Sequence, residues 1–348
     1  SQLGLMGWDL TADSALFSFN HRHSMRPAST MKLVTAITAL DQLPPDYLLT
    51  TSLYRRGRIE GATFTGDLYV VGGMDPLFDI TDLRDFVYEL HHLGIDTLRG
   101  RLVDDVSMKD TLQWGEGWCW DDKNPTLSPL LVGKKANFME RMVSELTRSG
   151  IVLDSFTVAK GRLHDGATLL ATCHHTLDQV LDPMMKESDN LVAEALFYQL
   201  AACYGSRPAR AIHARSLEKQ LIAYLGFDNS CFRYADGSGL SLYNYVSPEL
   251  LVGLLRHAWL TPSIYTHLLP SLPIAGIDGT LSKRMRKTSA EGNVRAKTGT
   301  LTGVISLAGY CTAANGHQLC FSIINQGVLL ANNARTFQDR ICTALCNP

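Results

Sequence analysis

A serine followed three residues later by a lysine occurs twice in this chain, at Ser29-Thr30-Met31-Lys32 and at Ser216-Leu217-Glu218-Lys219. On a helix that spacing brings the amine within reach of the hydroxyl one turn away, so a lysine that sheds its proton can activate the serine as a nucleophile. Context separates the two copies. Ser216 falls inside an amphipathic stretch, Pro208 to Leu225, where Ser and Lys make a solvated face. Ser29 opens a helix after Arg26-Pro27-Ala28, and a helix start offers free N–H groups and positive dipole charge to a developing oxyanion. By position alone Ser29 could equally be an N-cap. Two later motifs break the tie. Ser188-Asp189-Asn190 alone reads as a helix cap, and Lys297-Thr298-Gly299-Thr300 alone as a strand end with a Gly turn. In this order, S-x-x-K, S-D-N and K-T-G form the three-part pattern of serine acyl transfer. No H-E-x-x-H, G-x-S-x-G, G-x-x-x-x-G-K-[ST] or strand-linked G-x-G-x-x-G competes with it.

The elements carrying these residues must converge from both ends of the chain. Gly4 to Leu10 and Ala15 to Asn20 predict a hairpin around Thr11-Ala12-Asp13-Ser14. Met31, Val34, Ile37, Leu40 and Leu43 form one helical stripe from Thr30 to Leu43, stopped by Pro44-Pro45. From about Gly57 to Asp165 the rhythm becomes strand, helix, strand. Leu90 to Ile95 is echoed by Leu146 to Ile151, each before a strand, which predicts a small α/β unit with an internal near-repeat. Trp114 to Pro129 reads as a long loop. Helices are predicted over Ser188–Tyr204, Pro208–Leu225 and Pro248–Leu260. Strands follow at Asn293–Lys297, Val304–Thr312 and Gln318–Asn325, then a helix over about Ala334–Leu345. The fold class is therefore α/β. Strands from both termini make one antiparallel sheet covered by helices, with residues 1–56 and 166–348 as one domain and 57–165 inserted into it.

Composition limits what else the chain can be. Its 348 residues, 45% apolar and 19% charged, suffice for about two globular units with ordinary cores. With 32 Lys+Arg against 34 Asp+Glu and no long basic run, the footprint of a nucleic-acid binder is missing. No apolar run approaches the roughly 18 residues of a transmembrane segment. Eight cysteines are too few for a disulfide scaffold, and no C-x-x-C pair points to a zinc or redox site. Cys311 and Cys320 flank Ala314-Asn315-Gly316-His317, where a two-residue Asn-Gly hairpin would set them opposite one another as a candidate disulfide. Cys342 and Cys346 share a helix face and read as buried thiols. The chain opens at Ser1 without a charged-then-apolar leader, so an export signal was either removed or never present.

Beyond the three motifs, Arg26-Pro27-Ala28-Ser29-Thr30, Gly66-Asp67-Leu68-Tyr69, Gly72-Gly73, Asp75-Pro76, Gly117-Trp118, Asp236-Gly237-Ser238-Gly239-Leu240-Ser241, Asp278-Gly279-Thr280 and Leu307-Ala308-Gly309-Tyr310 stand along most of the chain. With them the sequence resembles the class C low-molecular-mass penicillin-binding proteins, D-alanyl-D-alanine carboxypeptidases/endopeptidases. The resemblance implies a transpeptidase/β-lactamase-like domain, a five-stranded antiparallel sheet flanked by helices, with a smaller inserted α/β domain. It implies attack of Ser29 on the carbonyl between two D-alanines of a peptidoglycan peptide, with Lys32 as base and acylation by β-lactam antibiotics. Ser188, Asn190 and Lys297 complete the implied catalytic set. Thr298, Gly299 and Thr300 would bind substrate, and Asp122 aligns with an acid that reaches the substrate's amino group in relatives. No metal or organic cofactor is implied, and the place of action is periplasmic or otherwise extracytoplasmic. Two departures stand out. The chain between Ser128-Pro129 and the helix near Asn137 is too short for the further domain of longer members. Leu242 stands where members often carry an Arg for the peptide's side-chain carboxylate. The alternatives are a β-lactamase-like hydrolase, although no E-x-x-L-N loop is found, or a catalytically silent cell-wall-binding scaffold.

Overall fold

The computed structural model describes residues 2–120 and 124–347. From the N-terminus, β1 (Gln2–Asp9) and β2 (Ser14–Phe19) form a hairpin, and α1 (Met31–Gln42) follows. Then come β3 (Leu48–Glu60), β4 (Thr63–Gly72), α2 (Ile80–His92), β5 (Thr97–Asp105), α3 (Phe138–Arg148), β6 (Val152–Lys160) and β7 (Thr168–Thr176). Five helices succeed them: α4 (Leu177–Lys186), α5 (Asn190–Cys203), α6 (Ala211–Tyr224), α7 (Pro248–Leu260) and α8 (Pro262–Ser271). The chain closes with β8 (Arg295–Leu301), β9 (Val304–Thr312), β10 (Gln318–Gln326) and α9 (Ala331–Cys346).

The terminal strands build one antiparallel sheet in the order β2-β1-β10-β9-β8, as their sequence patterns predict. Helices cover both of its faces, so β9 is buried from Val304 to Cys311 and reads as an unbroken apolar run. Ala308 and Tyr310 point into the larger core with α1, α5 and α7, while Leu307 and Cys311 point into a smaller one with Cys342 and Cys346 of α9. The single apolar stripe expected for α1 understates its burial. Met31 through Ala39 are buried on every side, because α1 runs through the middle of the helical layer rather than over its surface. α5 is likewise buried from Leu191 to Ala201.

A second sheet, β6-β5-β4-β3-β7, spans Leu48 to Thr176. β4, β5 and β6 are parallel, connected by the crossovers through α2 and α3 that the near-repeat foreshadows. Its core centres on Phe78, whose ring lies 5.3 Å from that of Phe86 and 5.2 Å from that of Phe138. Sequence patterning missed β3, β7, α4 and α8. β7 is an edge strand with little burial, so its residues carry no clean apolar alternation.

The expected pairing of Cys311 with Cys320 fails on register. The β9–β10 turn is a five-residue loop, Ala313 to His317, which places Leu319 opposite Cys311 and Tyr310 opposite Cys320. The two thiols therefore sit on opposite faces of the sheet, in different cores, and both are free.

Candidate active site

Ser29 lies in a short 3-10 turn, Ala28–Thr30, that leads into α1. It is not used as a cap. Its Oγ accepts a hydrogen bond from Lys32 Nζ at 3.1 Å, and the same ammonium donates to Asn190 Oδ1 at 2.7 Å and to the Ser238 carbonyl at 2.8 Å. Lys32 has no solvent-exposed surface. That burial brings its pKa from 10.5 down to about 8, against the opposing pull of nearby acids, Asp236 first.

The cap reading of Ser188-Asp189-Asn190 falls on the middle residue, and its two neighbours face the lysines. Asp189 is the N-cap of α5, its carboxylate accepting from the Val192 N–H, and its other oxygen receives Lys134 Nζ at 2.6 Å. This leaves the flanking side chains free to meet the two lysines. Asn190 reaches Lys32, and Ser188 Oγ accepts from Lys297 Nζ at 2.8 Å. Ser188 holds a φ of +61°, a backbone conformation that L-residues seldom adopt and that costs about 1–3 kcal/mol.

Lys297-Thr298-Gly299 sits inside β8 rather than ending it, since the strand continues to Leu301. Period-two alternation turns Lys297 and Gly299 to one side and Thr298 and Thr300 to the other. Lys297 is fully buried and its pKa is held well below the ordinary lysine value, first by burial and then by the nearby Lys32 cation. Thr298 Oγ1 bonds Thr280 Oγ1 at 2.7 Å, and Thr300 is exposed. At Gly299 any Cβ would stand 2.2 Å from Ser306 Oγ and 2.9 Å from the backbone nitrogen of Ser29, so only glycine lets β8 lie this close to Ser29.

Sequence reasoning missed the support beneath Lys32. Glu194, four residues after Asn190, is 1% exposed, and its Oε1 accepts from the N–H groups of Gly237 and Ser238 at 3.1 and 2.8 Å. Burial raises its pKa to about 8, and the charge of Asp236 adds to the rise. Asp236 in turn accepts from Gly239 N, Ser241 N, Asn244 Nδ2 and Trp118 Nε1, all at 2.7 or 2.8 Å. Together these acids shape the loop that presents the Ser238 carbonyl to Lys32. The available signal was an acid standing alone in the apolar run of α5.

The second S-x-x-K is set apart by the fold. Ser216 Oγ bonds back to the Ile212 carbonyl at 2.8 Å and Lys219 is exposed on α6. Asp122 lies outside the described residues. Among those described, no helix is long and apolar enough to cross a membrane.

The model of the D-Ala-D-Ala carboxypeptidase 3 (S13) family matches residues 1–131 and 131–347. The D-alanyl-D-alanine carboxypeptidase DacB of Haemophilus influenzae is 26% identical over 407 residues, covering 92% of this chain and 84% of the relative. The crystal structure of penicillin binding protein 4 from the same organism aligns with a TM-score of 0.92 at 24% identity, over 100% of this chain and 97% of that one. Its complex with a β-lactam aligns at 0.83, with 25% identity and the same coverage. The fold also extends to a predatory peptidoglycan endopeptidase of Bdellovibrio bacteriovorus, with a TM-score of 0.68 and 16% identity over 99% of this chain and 93% of that one. A family match running from end to end, on a chain whose three motifs meet around two buried lysines, means that this protein belongs to the D-Ala-D-Ala carboxypeptidase 3 (S13) family and is a serine-type D-Ala-D-Ala peptidase.

Proposed function

We propose that the chain cleaves the terminal D-Ala-D-Ala bond, and D-alanyl crosslinks, of peptidoglycan stem peptides through an acyl-enzyme on Ser29. The observation that carries this reading is the placement of Lys32 Nζ, 3.1 Å from Ser29 Oγ and 2.7 Å from Asn190 Oδ1, in a site without water-exposed lysine surface. Neutral Lys32 takes the hydroxyl proton as Oγ attacks the carbonyl carbon. The backbone N–H groups of Ser29 and Thr300 receive the developing oxyanion. Ser188, bonded to Lys297, passes a proton to the leaving amine, so D-alanine departs as the acyl-enzyme forms. Water then attacks the ester with the same residues in reversed roles. Thr298 and Thr300 on the outer strand β8, with the Lys297 charge behind them, suit the substrate's terminal carboxylate. Asn190 orients the peptide amide.

The same attack on a β-lactam ring leaves a stable adduct, so penicillins act as inhibitors. The substrate places the enzyme outside the cytoplasmic membrane. The sheet from β3 to β7, with α2 and α3, is the inserted domain, and the terminal segments form the catalytic one. The test is intact-mass analysis after exposure to benzylpenicillin. One adduct is expected, lost in Ser29→Ala and kept in Ser216→Ala. The opposite pattern sinks the assignment, an adduct that clears within seconds marks a β-lactamase instead, and no adduct on folded protein marks a silent scaffold.

A further inference from the structure

Away from Ser29, a second group of chemistry-bearing side chains meets where the inserted sheet joins the helical layer. Cys173 and His175 are two residues apart on β7 and so project from the same face of the strand. Asp75 arrives from the loop after β4, with its Oδ2 2.7 Å from His175 Nδ1 and its side chain wholly buried. One donor atom from each of the three, a sulfur, an imidazole nitrogen and a carboxylate oxygen, lies within 4.8 Å of the other two. Asp82, in the first turn of α2, lines the same cavity as Cys173.

We propose that Asp75, Cys173 and His175 form a structural binding site for a divalent, thiophilic cation of the zinc class, with Asp82 at the fourth position. The donor set decides the class. One thiolate, one imidazole and carboxylate oxygens suit zinc or cobalt, whereas magnesium and calcium take oxygen ligands alone. Spacing agrees: an ion centred among three donors no farther apart than this lies roughly 2.8 Å or less from each, so small side-chain rotations bring them to bonding distance of about 2.0–2.3 Å. Charge agrees too. The Asp75 carboxylate is wholly buried, and the imidazole of His175 is the basic group hydrogen-bonded to it. Binding breaks the Cys173 S–H bond, forms a metal–sulfur bond and sends the proton to solvent, with no change of oxidation state.

The position gives the ion a role. His175 is followed by Thr176, the cap of α4, and α4 runs directly to Ser188. The Asp75 loop is itself fastened to α5, whose Gln199 Nε2 donates to the Gly73 carbonyl at 2.7 Å. A cation here clamps the inserted sheet to the root of the two helices that flank Ser188 and Asn190, and takes no part in the reaction at Ser29.

The test uses the full chain, stripped with a chelator and dialysed against Zn²⁺ alone. Metal analysis should find about one zinc per chain, with affinity falling at least about tenfold in Cys173→Ala and in His175→Asn. Zinc should raise the unfolding temperature of the parent protein and not of either variant, while both variants still form the penicillin adduct, which shows them folded. Because a variant could fail to fold, Co²⁺ is added to the parent protein as well, and a thiolate-to-cobalt charge-transfer band is expected. No stoichiometric zinc, unchanged affinity in folded variants, or cobalt bound without that band would each overturn the site. None of these readouts depends on which peptide Ser29 cleaves.

Discussion

In the proposed mechanism Lys32 concentrates the chemistry in one side chain, because the group assigned to accept a proton is a lysine that burial has partly stripped of its preference for charge. With a pKa of about 8, its neutral fraction grows about tenfold per pH unit below that value and levels above it. Acylation by a slow penicillin should therefore rise with pH up to about 8 and then flatten, as stopped-time mass analysis across pH would read out. Lys32→Arg keeps the charge and cannot deprotonate in this range, so acylation should fall by several orders of magnitude with the fold intact. A flat pH profile, or an active Arg variant, would assign the base elsewhere. Ser29, Lys32, Ser188, Asn190 and Lys297, each of which the structure brings within hydrogen-bond distance of another, could be named from the sequence because each stands in a short local motif. Glu194 could not, since nothing local announces that an acid in a helix will bond a loop more than forty residues away.

At the scale of elements, the loop 236–241 is what α1 and α5 hold between them. Glu194→Leu should leave the Gly237 and Ser238 N–H groups unpaired, at about 1–3 kcal/mol each, and should slow acylation through the displaced Ser238 carbonyl. Glu194→Gln keeps an acceptor oxygen and should rescue both losses. The pH dependence also differs. Glu194 holds its proton in the folded state up to about 8, against 4.5 when unfolded, so its contribution to stability is full below 4.5 and fades as pH climbs to about 8. Urea titrations from pH 5 to 8 should show that fade in the parent protein and a weaker one in the Gln variant. Gly239 tests the same loop from its backbone: with a φ of +83° and an added Cβ only 1.9 Å from the Ala28 carbonyl, Gly239→Ala should destabilise by about 1–3 kcal/mol or more and displace Ser29. Measured stability and acylation that both stay near the parent values would mean that α1 and the loop can part freely.

For the molecule as a whole, the surroundings of Leu242, where the proposed function puts part of the substrate, draw on three distant stretches of chain. Trp118, from the long connection before α3, donates to Asp236, and Gly117 packs against Ser241 and Tyr243, so that connection borders the loop that carries Leu242. Leu242, where the family resemblance implies an Arg, is 40% exposed, and Arg233 is tied to Glu116 at 2.8 Å. Arg26 reaches this place instead, its Nε donating to the Leu242 carbonyl at 3.0 Å. Leu242→Arg should raise kcat/KM for a stem peptide bearing the meso-diaminopimelyl carboxylate by about tenfold, the effect of one charge-assisted contact near 1.4 kcal/mol. Arg26→Gln should remove whatever preference the parent enzyme shows. If the parent already discriminates strongly and neither change alters it, the carboxylate is recognised elsewhere in the cleft.

The sequence by itself determined the reaction class, because S-x-x-K on one helical turn, a Ser and an Asn astride a helix cap, and K-T-G along a strand are each set by local geometry. It determined much of the terminal sheet as well, since β9 and β10, buried on both faces, announce themselves as long apolar runs, and turn residues mark the β1–β2 hairpin. Only the tertiary structure decided what depends on packing at a distance. Burial, not spacing, lowers the pKa of Lys32 and Lys297. A five-residue turn in place of a two-residue one shifts the β9–β10 register by a single position, enough to part Cys311 from Cys320. Asp75 meets His175 at a sequence separation of 100, because β4 and β7 both pair with β3 and bring the ends of their strands together, and no local pattern encodes that meeting.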